Sequence, residues 1–323
     1  MKPNTLLLGI FLLLALTGCG SAPQRPAAVV EGERLLARGV MAYRNDELLE
    51  AATFFTKALS HYQGLDSAEG QLQSRINLVE VALAVGNLDA AQRHLEQAEL
   101  LAADERVSYR PRLALLHSSL ALARGDMALA RTLSESLLPP QQGGSAPPPA
   151  VDAAIQREAL INRTSVAFAL GGEEPATWTG RLEKGINGDG ASQAAARLER
   201  FRAALALRGG DHASASLHLQ QALELCKALP SRRCIAATLE EWGAQLQASG
   251  ALTEAEDRYQ RALAVRLALL DRGGSSNNLR QLAEICRTTG RDERAATLAG
   301  WADQVATGKT IDWGRLRGDT LPH

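Results

Sequence analysis

Residues Leu239 to Val265 read LEEWGAQLQASGALTEAEDRYQRALAV. Ser249-Gly250 interrupts a run of helix-forming residues, so the stretch reads as two helices joined by a turn. Ala255 follows Gly250 by five residues, and Ala262 lies seven further on. Seven residues is close to two helical turns, so both alanines share one face. Small side chains there admit a partner helix closely, and Tyr259 between them fills the groove alongside.

The same arrangement recurs along the chain. The turn residue and first alanine are Asp46/Ala51, Gly86/Ala91, Gly125/Ala130, Gly210/Ala215, Gly250/Ala255 and Gly290/Ala295. The second alanine is Ala58, Ala98, Ala222, Ala262 or Ala302, with Leu137 in its place in the third unit. The large residue between is Phe55, Leu95, Leu219 or Tyr259. Successive turns are 40, 39, 85, 40 and 40 residues apart. The double gap holds one degenerate unit: a helix over Ala150–Leu170, a Gly171-Gly172 turn and a short helix over Pro175–Lys184. A single hairpin of this kind cannot bury its apolar face alone, so the units must stack.

Trp242-Gly243, Gly250, Ala255, Tyr259 and Ala262 stand in an order that resembles the tetratricopeptide repeat family. The units exceed that family's length of about 34 residues and resemble extended repeats of the kinesin light chain type. Other α-solenoids, such as HEAT repeats, have a similar period. The resemblance implies an all-α, right-handed α-solenoid of about six to seven hairpins, with the first helix of each lining a concave groove. Composition agrees. Apolar residues make up 46% of the 323-residue chain but aromatics only 4%, which disfavours an all-β fold. The net charge of −1 gives no basic field for nucleic acid.

Lys2, the apolar run Leu6–Leu16 and the small residues before Cys19 read as a secretory signal over 1–18. Leu16-Thr17-Gly18-Cys19 resembles the bacterial lipobox. That resemblance implies cleavage before Cys19, acylation of this residue, and, with Gly20 following, an outer-membrane anchor facing the periplasm. Residues 19–29 then form a flexible tether, 30–138 a first repeat block, 139–150 a Pro/Gly-rich linker, 151–308 a second block and 309–323 a tail. The linker either separates two blocks or is an enlarged loop on one continuous superhelix. The tail either packs Trp313 over the last hairpin or frays.

Catalytic signals are scarce. HExxH, GxSxG and zinc-spaced cysteine pairs are absent, and Thr307-Gly308-Lys309-Thr310 lacks the upstream glycine of a phosphate loop. His212 and His218 are six apart, which places them on different helix faces; His61, His94 and His117 sit in separate helices. Glu173-Glu174 and Glu240-Glu241 read as solvated surface pairs. No metal and no cofactor is expected, apart from the covalent lipid on Cys19. Cys226 and Cys234 flank a turn at Pro230 and are either a periplasmic disulfide or two free thiols; Cys286 reads as a buried thiol.

Counting from the turns gives the groove-facing candidates Arg197, Arg200, Arg208, Glu240, Gln247, Asn277, Arg280, Glu284 and Arg287. Their arginines suit carboxylates or acidic peptides. The matching positions in the first units, Leu36, Tyr43, Ile76, Leu83 and Leu115, predict an apolar groove there, suited to a helix or an apolar peptide, or covered by the protein itself. The expected function is a non-catalytic, membrane-anchored scaffold. It would bind other envelope proteins or peptides in pilus or secretion, polysaccharide-export or cell-wall machinery, and no nucleic acid. The competing reading is a periplasmic enzyme or ligand-binding protein on a helical-repeat frame, such as a cell-wall hydrolase.

Overall fold

The computed structural model describes residues 26–102, 107–139, 151–172, 174–186 and 192–307. Cys19, the expected signal segment, most of the linker and the tail lie outside them. Among the described residues there are fourteen α-helices, one short 3-10 turn and no strand. In chain order they are α1 (Ala27–Arg44), α2 (Leu48–Gly64), α3 (Ala68–Ala84), α4 (Leu88–Ala102), α5 (Arg110–Arg124), α6 (Met127–Ser136) and α7 (Ala153–Leu170). There follow α8 (Glu174–Ile186), α9 (Gln193–Arg208), α10 (His212–Lys227), α11 (Arg232–Ala248), α12 (Leu252–Ala268), α13 (Arg272–Thr288) and α14 (Asp292–Ala306). They form seven stacked hairpins, an odd helix followed by an even one.

Each hairpin turn is built by one left-handed residue, except the fourth, where Gly171 and Gly172 are both left-handed. Gly250 has φ 81°; its N–H donates to the Gln247 carbonyl, and the Ala251 N–H donates back to Leu246 at 2.9 Å. That pair of bonds satisfies the last carbonyls of α11 and reverses the chain. The turn before α2 does the same with Asp46 at φ 61°. Behind each turn lies the alanine seam. Ala51, Ala91, Ala130, Ala215 and Ala255, with Ala58, Ala98, Ala222, Ala262 and Ala302, have no exposed surface. Phe55, Leu95, Leu219 and Tyr259 pack beside them. The degenerate fourth hairpin replaces this seam by Thr179 and Leu182, with Trp178 buried next to them.

The stack passes from α6 to α7 without a break in packing. Asn162 on α7 donates to Ser119 on α5 at 2.9 Å, and Arg163 donates to Glu135 on α6 at 2.6 Å. Arg163 is only 1% exposed. Its second arm reaches Glu174 on α8 at 2.6 Å, and its guanidinium lies 4.3 Å over the Trp178 ring. A buried arginine needs such paired carboxylates and a ring face to offset its lost hydration. The residues on either side of the Pro-rich segment are thereby locked into one superhelix.

The odd helices form the inner wall. α1 packs on α3, α3 on α5, α5 on α7, α7 on α9 and α9 on α11, in addition to their contacts with the even helices. No helix among the described residues is long and apolar enough to cross a membrane.

Candidate functional site: the inner face

The side chains on the inner wall are charged and largely cross-linked. Glu80 on α3 pairs with Arg112 on α5. Arg200 on α9 holds both oxygens of Glu241 on α11, its Nε at 2.7 Å. Burial acts to lower the Arg200 pKa, but the Glu241 carboxylate outweighs it and raises the value.

Arg197 and Arg208 lie eleven residues apart on α9, hence on nearly the same face, and both are exposed. Neither has a carboxylate partner among the described residues; Arg208 donates only to the Gly172 carbonyl, at 3.0 Å. Arg197 is open to water at its tip, and its surroundings on α9 carry a second arginine, Arg200. Partial desolvation, together with the like charge of Arg200, holds its pKa below the ordinary arginine value, against the pull of Glu158 and Glu241. Phe168 on α7 and Phe201 on α9 stack close by in sequence, with ring centroids 5.4 Å apart.

The other expected groove residues are placed differently. Glu240 is half-buried and is consumed by a network at the α11–α13 junction. Arg266 donates to its two oxygens at 2.9 and 2.7 Å, and Asn278 donates at 2.7 Å. Arg266 also bonds Asp271 at 2.7 Å. Burial and the nearby Glu240 charge push the Tyr259 hydroxyl up to about 12. The solvated-pair reading of Glu240 is therefore corrected: only Glu241 is exposed, and it is ion-paired. Glu174 is likewise engaged, by Arg163 and Arg131. Gln247 lies half-buried near the end of α11. Asn277 is exposed on α13. Arg280 pairs with Asp303, and Glu284 with Arg287, around a shallow polar depression on the last hairpin.

The apolar groove expected in the first units is not formed by the residues assigned to it. Leu36, Ile76 and Leu115 are buried between hairpins, and Leu83 packs against that core. Tyr43 is half-buried and serves another purpose. The guanidinium of Arg233 on α11 lies 4.6 Å over its ring, and Asp46 in the next turn accepts from the Arg233 backbone and side chain. Sequence reasoning missed Asp46 and Arg233. The one available signal was an aspartate where the other hairpin turns carry glycine.

The sulfurs of Cys226, at the end of α10, and Cys234, in the first turn of α11, are bonded across a Cα–Cα distance of 5.4 Å. Cys286 is buried as a thiol, and burial raises its pKa. His117 faces Glu99 and His218 faces Glu199, each at 2.7 Å. No group of three metal-ligating side chains occurs among the described residues.

No protein-family model and no curated protein matches the chain. Solved structures do. A Rap protein complexed with competence and sporulation factor aligns with 86% of this chain and 76% of its own, at 16% identity and a TM-score of 0.61. This is a tetratricopeptide-like helical-repeat solenoid. At that identity the likeness is one of fold. The apo form of RapI covers 90% of this chain and 82% of its own at 11% identity and a TM-score of 0.46. A STAND protein with a tetratricopeptide repeat sensor from Pyrococcus horikoshii covers 88% of this chain and 49% of its own at 11% identity and a TM-score of 0.48.

Proposed function

We propose that this solenoid is a non-catalytic scaffold, lipid-anchored through Cys19 to the bacterial outer membrane and facing the periplasm. On its inner face it holds an acidic segment of another envelope protein, from pilus or secretion, polysaccharide-export or cell-wall machinery. The observation that carries the reading is the pair Arg197 and Arg208. Both lie on one face of α9 without a carboxylate partner, whereas Arg200 between them is neutralised by Glu241. A guanidinium without a carboxylate partner gains most from an incoming carboxylate, which it can bind through two parallel bonds. The Phe168–Phe201 stack offers an apolar surface to the same ligand. Support for a partner-binding role also comes from the Rap protein, which was solved in complex with competence and sporulation factor. The anchor is supported by the lipobox-like Leu16–Cys19.

The test is crosslinking and affinity purification of the lipidated protein from membranes, beside an Arg197→Ala/Arg208→Ala variant. Recovery of an envelope protein by the wild type and its loss from the variant is expected. Equal recovery by both would refute the α9 face as the binding surface. An N-terminal peptide without acyl mass would refute the anchor.

A further inference from the structure

Arg233 is the second residue of α11, and its backbone N–H belongs to the first turn, which has no partner within its own helix. Ser231, the N-cap, makes no side-chain cap bond. The missing acceptor comes from 187 residues away: Asp46 Oδ2 accepts the Arg233 N–H at 3.0 Å. Asp46 Oδ1 accepts the Arg233 Nε–H as well, and the Asp46 side chain is wholly buried by these contacts. A carboxylate at this position also meets the positive end of the α11 dipole. The guanidinium lies over the Tyr43 ring. This clasp draws the first hairpin onto the sixth and closes the superhelix beside the inner face.

The residue after Arg233 is Cys234, bonded to Cys226 at the end of α10. The disulfide therefore fixes the turn whose N–H and side chain must aim together at Asp46. We propose that the disulfide and the clasp are one device, in which oxidation of Cys226 and Cys234 closes the superhelix and reduction opens it at the α1–α2 turn. The reductant is a dithiol. Its thiolate attacks the Sγ of Cys234, which is half-buried, whereas Cys226 is fully buried. The S–S bond breaks and Cys226 leaves as a thiolate, with the Thr238 hydroxyl 3.4 Å from its sulfur. The second thiol of the reductant then displaces Cys234. Two protons and two electrons pass to the cysteines, and the dithiol becomes a disulfide. With α11's first turn released, Arg233 no longer presents both donors to Asp46, and the entrance to the inner face widens.

Hydrogen exchange read by mass spectrometry on the full mature chain tests this. The arms are the oxidised wild type, the wild type with dithiothreitol, Cys226→Ser/Cys234→Ser, and Asp46→Asn with the disulfide intact. Loss of the disulfide should speed exchange over Ala42–Leu48 by roughly tenfold beyond any rise over α13 and α14, as Asp46→Asn does. Adding Asp46→Asn to the cysteine variant should give no further increase over that segment. Faster exchange confined to residues 226–236 would overturn the proposal, as would an additive response. A rise over α13 and α14 equal to that over Ala42–Leu48 would also overturn it, since the disulfide would then be a staple of the whole fold. No increase in Asp46→Asn would show that the clasp does not close the superhelix.

Discussion

The Tyr62 ring occupies the space that a Cβ on Gly32 would need: such an atom would lie 2.5 Å from Cζ and 2.8 Å from the hydroxyl oxygen. Gly70 on α3 stands against the same ring, where a Cβ would meet Cγ and lie 2.5 Å from Cε1. Tyr62 on α2 is thus packed against both α1 and α3 and is buried there. Gly32→Ala forces the helices apart in a packed core and should cost about 1–3 kcal/mol, despite alanine's better helix propensity. Urea denaturation measures this. A variant as stable as the wild type would mean that Tyr62 is free to move.

The buried arginine of α7 makes the fold acid-sensitive. The Arg163 hydrogen bond lowers the pKa of Glu174 below 4.5; burial opposes this, and the charges of Arg163 and Arg131 add to it. The folded value is therefore below the unfolded one. The stabilisation is complete above the ordinary carboxylate range and is lost as pH falls through the lowered value. Glu174 is 43% exposed, so its share is small, under about 1 kcal/mol. Glu174→Gln should be less stable than the wild type at neutral pH, and the gap should close as pH falls below 4.5. Urea midpoints measured across that range check it. A gap that stays constant would show that the ion pair contributes nothing.

Much of the fold was legible because its determinants are local. The alanine seams and left-handed turns repeat at one spacing, and even the degenerate hairpin was marked by Gly171-Gly172, with α8 running over Glu174–Ile186. The groove was less legible. An odd helix here packs against its own partner, the preceding even helix and neighbouring odd helices, so little of its circumference remains for the inner face. Counting from the turn cannot separate Leu36, Ile76 and Leu115, which fill the core, from Glu80 and Arg112, which pair across it. Glu240 was misread because its partner Arg266 lies on an even helix 26 residues on. The Asp46–Arg233 contact depends on the superhelix curving back on itself, which no local pattern encodes.

Leu270, in the loop between α12 and α13, has φ 56° and is 74% exposed. A side chain in the left-handed region strains the backbone, and this one buries little in return. Leu270→Gly should stabilise the fold by about 0.5–1 kcal/mol, whereas Leu270→Ala, which keeps the Cβ, should not. Thermal denaturation of the two variants decides this. Equal effects would place the cause in the exposed leucine side chain rather than in the backbone.

Three cysteines lie in the described residues, and their environments set their reactivity. Cys226 and Cys234 are bonded, and Cys286 has no exposed surface and a pKa raised by burial. The thiolate is the reactive form, so Cys286 should be silent toward a thiol reagent while the protein is folded. Unfolding the chain with Cys19 acylated, without reductant, should release one reactive thiol. Prior reduction should raise that to three and lower stability by roughly 2–3 kcal/mol, because the loop between Cys226 and Cys234 is then free in the unfolded state. Three thiols before reduction would rule out the disulfide. One thiol before reduction together with unchanged stability after it would keep the bond but deny it any hold on the α10–α11 turn.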